Sequence, residues 1–257
     1  MIANYHTHTA LCHHADGTER EYIEAAIKNG LKILGFADHA PQFFPTDFYS
    51  HFRMYPEQLE GYVRTISDLR DEYKNDIEIH IGLEAEYYSE IFERLIEFIK
   101  PYDIEYLLLG QHYIANEYDT REPSTARYYD NEKLTEYVDQ VLKAIGTGKF
   151  TYIAHPDVFR FDGADEAFYA SQTRRLCEGA KAAGLPLEIN MLGLTEGRHY
   201  PSDRFFKIAK EVGCDFILGC DAHKPIKVAN PEIVAKAEAF AARHGITPIA
   251  TVKLIKP

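Results

Sequence analysis

Apolar and polar positions along this chain follow two alternating rhythms. Compact runs rich in Ile, Leu, Val, Tyr and Phe occupy 2–5, 33–37, 77–83, 106–109, 152–154, 186–189 and 216–219. Their length and bounding turn residues read as buried strands. Between them apolar residues recur at helical spacing, as in Tyr22, Ile23, Ala26 and Ile27, or Leu134, Val138, Val141, Leu142 and Ile145. Start signals accompany these stretches. Thr18 with Glu21 three residues on is a capping-box pattern, and Pro56, Pro201 and Pro231 suit a first helical turn. Gly30, Gly184, Gly213 and Gly245 stand where helices should stop. Strand, helix, glycine, strand is the grammar of parallel βα units. Seven such units are predicted, followed by an eighth apolar run at 247–252. With no Pro-rich or Ser-rich linker, they predict an α/β fold in which residues 1–257 form a single barrel-like domain. Residues 115–130, rich in Glu, Asp, Arg and Tyr, read as a long loop over one face.

Composition narrows the partners. The chain has 257 residues, 46% of them apolar, enough for a full core. Forty acidic against 28 basic residues give a formal charge of -12, which repels a nucleic-acid backbone and argues against nonspecific DNA or RNA binding. Cys12, Cys177, Cys214 and Cys220 form no C-x-x-C pair, and a domain of this size needs no disulfide to fold. A reducing, cytoplasmic setting is the expectation. The opening MIANYHTH lacks the basic and apolar regions of a signal peptide, and no run reaches the ~18 apolar residues of a membrane span, so a soluble protein without a membrane partner is expected.

The informative residues are polar ones placed where each strand stops. His6 and His8 follow the first run, Asp38 and His39 the second, Glu84 and Glu86 the third, Gln111 and His112 the fourth. His155 follows the fifth, Asn190 the sixth, and Asp221 with His223 the seventh. A closed parallel barrel gathers such strand ends on one face. Singly, each has an ordinary explanation: a lone His is usually a hydrogen-bonded structural residue, Asp38 suits a helix cap, and Asn190 suits a turn. Their recurrence at strand after strand points instead to metal binding. In His6-Thr7-His8 the period of two puts both imidazoles on one side, and imidazole with carboxylate suits Zn, Mn or Fe.

The segments YHTHTALCHHADGT, GFADHAP, IGLEAEY, LLGQHYI, IAHPDVFRF, LEIN and LGCDAHKP, in this order between residues 5 and 225, resemble the polymerase and histidinol phosphatase (PHP) superfamily, and within it the histidinol-phosphate phosphatases. The resemblance implies a distorted seven-stranded (β/α) TIM-like barrel, in agreement with the strand pattern. It also implies three divalent metal ions, Zn, Mn or Fe. The first would be held by His6, His8, Glu84 and Asp221. The second would share Glu84 and add His112 and His155, and the third would take His14, His39 and His223. His14 is preferred to the adjacent His13 because it lies six residues after His8, where the family pattern places its ligand, and Asp16 is an outside candidate. Asp38 would orient His39 or a neighbour, as metal-bound imidazoles require.

The chemistry implied is hydrolysis of a small phosphate monoester, L-histidinol phosphate, by a metal-bridging hydroxide. Asp221 and His223 are the candidates for protonating the leaving group. Arg160 and Arg198 are candidates for gripping the phosphate, a role the resemblance supports and guanidinium geometry suits. Glu86, Glu117, Asp119 or Asp162 could bind the substrate's ammonium, and Phe43, Phe44, Phe161 or Tyr113 could pack on its ring. Cys12 and Cys220 read as bystanders, and His51, His80, His199 and His244 fall off the pattern, His199 being the most plausible exception. The competing readings are a phosphoesterase of the same superfamily acting on a nucleotide, a phosphodiester or phosphotyrosine, and a non-catalytic metal-binding module. Retention of Glu84, Asp221, His6 and His8 argues against the last.

Overall fold

The computed structural model describes residues 1–119, 124, 128–161, 163 and 165–257. Among the described residues nine strands are present: β1 (Ala3–Asn4), β2 (Ile33–His39), β3 (Glu78–Ala85), β4 (Tyr106–Leu109), β5 (Tyr128–Tyr129), β6 (Tyr152–Ile153), β7 (Arg160–Phe161), β8 (Leu187–Asn190) and β9 (Phe216–Gly219). The helices are α1 (Glu19–Lys28), α2 (Leu59–Glu72), α3 (Phe92–Ile99), α4 (Asn131–Gly146), α5 (Glu166–Ala183), α6 (Met191–Glu196), α7 (Asp203–Val212) and α8 (Pro231–Arg243). Seven strands form one all-parallel sheet in the order β1-β2-β3-β4-β6-β8-β9. A parallel Thr7–Ala222 bridge joins its first and last strands just beyond their C-terminal ends, giving a nearly closed α/β barrel. The predicted strand positions hold, but β2 and β3 run two residues further than their apolar runs. Their polar ends keep pairing in register, as Asp38 does with Leu83 and His39 with Glu84.

Two layers of apolar residues build the core. The larger lies between strands and helices. On α3, Phe92, Leu95, Ile96 and Ile99 are all buried, each contributing roughly 1.5–3 kcal/mol. The smaller fills the barrel, where Tyr5, Tyr106, Leu108, Tyr152 and Ile217 meet. The predicted capping box of Thr18 and Glu21 is present, and Gly30, Gly184, Gly213 and Gly245 all have positive φ at helix ends.

Three expectations change. Pro201 precedes α7 rather than entering its first turn; Ser202 takes the N-cap place. The 247–252 run is no strand: Ile249 makes one backbone bond to Phe216 O at 2.8 Å, and Ile249, Val252 and Leu254 pack against the interior cluster, closing the N-terminal end of the barrel. These three apolar residues of the tail thus serve as a stopper because the seven strands have already nearly closed the ring. Finally, β5 and β7 form a two-stranded parallel ribbon that the apolar pattern did not indicate. Within 115–130, residues 120–123 and 125–127 lie outside the described residues, as does Asp162. Among the described residues no helix is long and apolar enough to cross a membrane. The cysteines are all free and buried.

Candidate metal centre

At the C-terminal end of the barrel the strand-end residues converge on a cavity of about 320 Å³. Glu84, at the end of β3, is at the middle. Its Oε2 lies 3.6 Å from both His6 Nε2 and His8 Nε2 and 3.0 Å from His39 Nδ1. Its Oε1 lies 2.8 Å from His155 Nε2 and 4.0 Å from His112 Nε2. Asp221, beyond β9, places Oδ1 at 3.0 Å from His8 Nε2 and 3.5 Å from both His6 Nε2 and His223 Nδ1. His223 stacks on His8 with centroids 4.0 Å apart, and His14 lies 4.5 Å from His223. The candidate ligands are therefore brought together. Of the adjacent pair, His14 faces the cavity while His13 packs on Tyr55. Asp16 pairs with Lys224 at the surface.

Small residues make this approach possible. A β-carbon at Gly110 would run into the Glu84 carboxylate, and one at Gly219 into that of Glu188. Glu188 is a residue the sequence reading missed. Fully buried on β8, it accepts from His6 Nδ1 at 2.8 Å, His155 N at 2.9 Å and Asn190 Nδ2 at 2.9 Å. A glutamate inside the buried run LEIN, on the same strand face as Asn190, was the available signal. Asp38 accepts from His8 Nδ1 at 3.3 Å and also bonds Thr9, so it orients His8; toward His39 it accepts only the backbone N–H, at 2.8 Å.

His112 is held through Nδ1 by Glu86 Oε1 at 3.2 Å, and Glu86 belongs to a second buried network. Arg53, completely buried, donates to Glu86 at 2.5 Å and to both oxygens of Glu117 at 2.7 and 2.8 Å, while Tyr88 O–H donates to Glu86. This overturns the expectation that Glu86 or Glu117 receives an ammonium: both carboxylates are already occupied by Arg53. No motif announced Arg53. It comes from the loop after β2 and meets Glu117 only in the folded chain.

The donor arrangement fits cations. His6, His8, His14, His112 and His223 each have Nδ1 within reach of an acceptor, which leaves Nε2 for the cluster. His6 Nε2 and His8 Nε2 face each other at 3.2 Å. His155 Nδ1 and His223 Nε2 are buried with no hydrogen-bond partner among the described residues, an arrangement costly unless something accepts their lone pairs or protons. The electrostatics agree. Burial lowers the pKa of His8, but Asp221, Asp38 and Glu84 outweigh it and raise it to about 9. Burial opposes ionisation of Glu84 too, yet His39 and His6 hold it well below the usual carboxylate range. By contrast, burial and neighbouring His8 push His223 down to about 3. The carboxylates stay ionised and draw positive charge inward, while crowding keeps part of the imidazoles neutral.

The two arginines part company. Arg198 lines the cavity, bonded to Glu196 Oε2 at 2.8 Å and Tyr200 Oη at 2.8 Å. Arg160, on β7, lines a separate cavity with Asp157, His199 and Arg204, so the structure does not bring it to the cluster. Of the aromatic candidates Tyr113 lines the main cavity, joined by Phe52, which stacks on it at 6.2 Å. Phe43 packs on Phe98, Phe44 on Phe48, and Phe161 lines the Arg160 cavity. Asp119 is not among the lining residues. His199 donates to Val158 O at 2.6 Å, and His80 and His244 pair with Glu105 and Asp203. Cys12 is buried beside His14, with its thiol pushed upward by burial and Asp38; Cys220 Sγ accepts from Ala229 N at 3.3 Å, away from the cluster.

Fold and site together define an α/β barrel with a histidine–carboxylate cluster at the C-terminal ends of its strands. Residues 4–191 match the PHP domain model, and the chain belongs to that family. It is 31% identical, over 88% of each chain, to a Deinococcus radiodurans protein described as a probable histidinol-phosphatase. It is 26% identical to the histidinol-phosphatase of Bacillus subtilis, over 85% of this chain and 92% of that one. Among solved structures it is similar to histidinol phosphate phosphatase from Lactococcus lactis, complexed with zinc, L-histidinol and phosphate. The TM-score is 0.73 at 20% identity, covering 99% of this chain and 98% of that one, a likeness of fold.

Proposed function

We propose that this protein is a metal-dependent phosphomonoesterase that hydrolyses L-histidinol phosphate to L-histidinol and phosphate. The observation that carries the reading is the convergence of Glu84 and Asp221 with a ring of inward-turned imidazoles beside Arg198, in a cavity sized for a small phosphate ester. Its histidinol-phosphatase relatives support the choice of substrate. His6, His8, Glu84 and Asp221 would hold one divalent ion. Glu84, His112 and His155 would hold a second, and His14, His39 and His223 a third. Bound there, such ions supply Lewis acidity, acidifying water and neutralising phosphoryl charge.

The chain's own residues do the rest. Arg198 offers paired donors to phosphoryl oxygens, and a monoester has more free oxygens to meet them than a diester. Glu188, Asp38 and Glu86 fix the rings of His6, His8 and His112 in the tautomer that turns Nε2 inward. For protonating the departing alkoxide oxygen Asp221 and His223 are the candidates, and since Asp221 is held ionised and His223 neutral, either would relay a proton taken from water. Phe52 and Tyr113 form an aromatic wall for the substrate's ring. Arg160, set in a separate cavity, is given no part in phosphate binding.

The test is phosphate release by purified, metal-loaded protein from L-histidinol phosphate, an aryl phosphate and a phosphodiester. The expected result is a kcat/KM for L-histidinol phosphate well above the other two. Faster turnover of either competitor would transfer the assignment to another phosphoesterase substrate, and no turnover of any would favour a non-catalytic module. Metal content of the same samples, expected near three ions per chain, tests the ligand assignment separately.

A further inference from the structure

The cavity contains one acidic side chain that the metal-centre assignment leaves unused. Of its lining carboxylates among the described residues, Glu84 and Asp221 belong to the imidazole cluster; the other is Glu196. Its position is well fixed. It is the last residue of α6, whose N-cap Asn190 donates to Glu188 Oε2 at 2.9 Å and Asp221 Oδ2 at 3.0 Å and accepts from Gly193 N at 2.8 Å. At the other end Gly197, with φ 66°, and Arg198 both donate their N–H to Gly193 O. A short helix anchored to the cluster at one end and closed by a left-handed turn at the other thus presents Glu196 and Arg198 side by side at the cavity wall.

We propose that Glu196 is the specificity-determining residue for the cationic part of the substrate, acting by exchange of partners with Arg198. The inference rests on the phosphomonoesterase reading above. In the free protein Arg198 donates to Glu196, and each side chain is a little over two-fifths exposed. A phosphate dianion competes for the same guanidinium with more oxygens and more charge, and takes it in bidentate fashion. Glu196 then loses its partner and is the one lining carboxylate, among the described residues, that neither a metal ion nor Arg198 would neutralise. A substrate ammonium restores the balance; a neutral substrate does not. Because Glu196 and Arg198 stand side by side on the same cavity wall, the ammonium that Glu196 takes belongs to the same small molecule as the phosphate that Arg198 grips. The pair therefore selects short aminoalkyl phosphates over neutral alkyl phosphates.

The experiment compares 2-aminoethyl phosphate with ethyl phosphate, matched in length and differing in the ammonium, on metal-loaded wild type, Glu196→Gln and Glu196→Asp. Wild type should prefer the amine by about tenfold or more in kcat/KM, the scale of one charge-assisted hydrogen bond. Glu196→Gln should collapse that ratio toward unity, chiefly through KM for the amine, and Glu196→Asp should retain part of it. No preference in wild type, or an equal loss on both substrates in Glu196→Gln, would overturn the proposal; equal loss would show that Glu196 merely braces Arg198. L-Histidinol phosphate run in parallel separates the two ideas, since its failure as a wild-type substrate refutes the functional reading while the amine ratio still reports on Glu196.

Discussion

The two ends of this barrel are made by the same seven strands and yet solve opposite problems. At the N-terminal end Tyr5 and Tyr106 fill the interior and the C-terminal tail seals it with Ile249, Val252 and Leu254. Polar atoms there are satisfied internally: Tyr106 donates to Tyr5 O at 2.7 Å and Phe36 O at 3.0 Å. At the C-terminal end charged groups crowd within hydrogen-bonding distance, and two ring nitrogens have no partner among the described residues. One end is finished as a core. The other is left in electrostatic debt that bound cations settle, and it holds its shape through a surrounding ring of acceptors.

That contrast can be broken most severely at Asp221. Asp221→Asn should lower kcat/KM for L-histidinol phosphate by about a thousandfold, the equivalent of several kcal/mol of transition-state charge stabilisation. Steady-state kinetics on metal-loaded protein would show it, and retention of more than a tenth of wild-type activity would remove Asp221 from the reacting centre. Arg53→Met should lower folding stability by about 3–5 kcal/mol, because Glu86 and Glu117 are then buried without their countercharge. Urea unfolding measures this; a loss under 1 kcal/mol would mean the two glutamates find water or protons cheaply.

A subtler probe is Glu188→Gln, which keeps the shape but weakens the acceptor for His6 Nδ1. Metal affinity should fall about 10–100-fold, read by competition with a chromophoric chelator, with little change in thermal stability of the metal-free protein. Unchanged affinity would reduce Glu188 to packing. At the opposite end, Tyr106→Phe should cost about 1–2 kcal/mol in stability and leave kcat intact, since it removes a buried O–H that two backbone carbonyls share. A large loss of kcat there would show the two ends to be coupled.

The smallest effect concerns the pair His80–Glu105. Burial lowers the His80 pKa, but Glu105 and Glu78 outweigh it and hold it above 6.5. Burial raises Glu105, but His80 and the Ile81 N–H hold it below 4.5. The His80 contribution is complete below pH about 6.5 and fades as pH rises through its elevated folded value. The Glu105 contribution is complete above pH about 4.5 and fades on acidification. Destabilisation by His80→Gln should therefore be largest between about pH 4.5 and 6.5 and shrink by pH 9. A destabilisation independent of pH would assign His80 to packing alone.

Much of this was legible in the chain. The apolar runs located every barrel strand because a strand buried on both faces must be continuously apolar whatever its neighbours are. The strand-end residues were legible because a parallel barrel has one face on which all such ends meet, so position along the strand already implies proximity. Glu188 was half legible, as an acid inside a buried run. Arg53 was not legible, nor was its meeting with Glu117, because loops from different strands carry no periodicity. The tail at 247–252 misled for the same reason: its composition is that of a strand, but the sheet had no place left for it.

By itself, then, the sequence determined the seven βα units, the face that carries the chemistry and the residues that supply its donors, since these depend on local pattern and on a topology with few alternatives. Only the tertiary structure decided which carboxylates remain available. It consumed Glu86 and Glu117 on Arg53, set Arg160 in a neighbouring cavity, turned His14 rather than His13 inward and left Glu196 beside Arg198. Charge pairing between segments distant in sequence is a matter of a few ångströms in three dimensions, and no one-dimensional spacing encodes it.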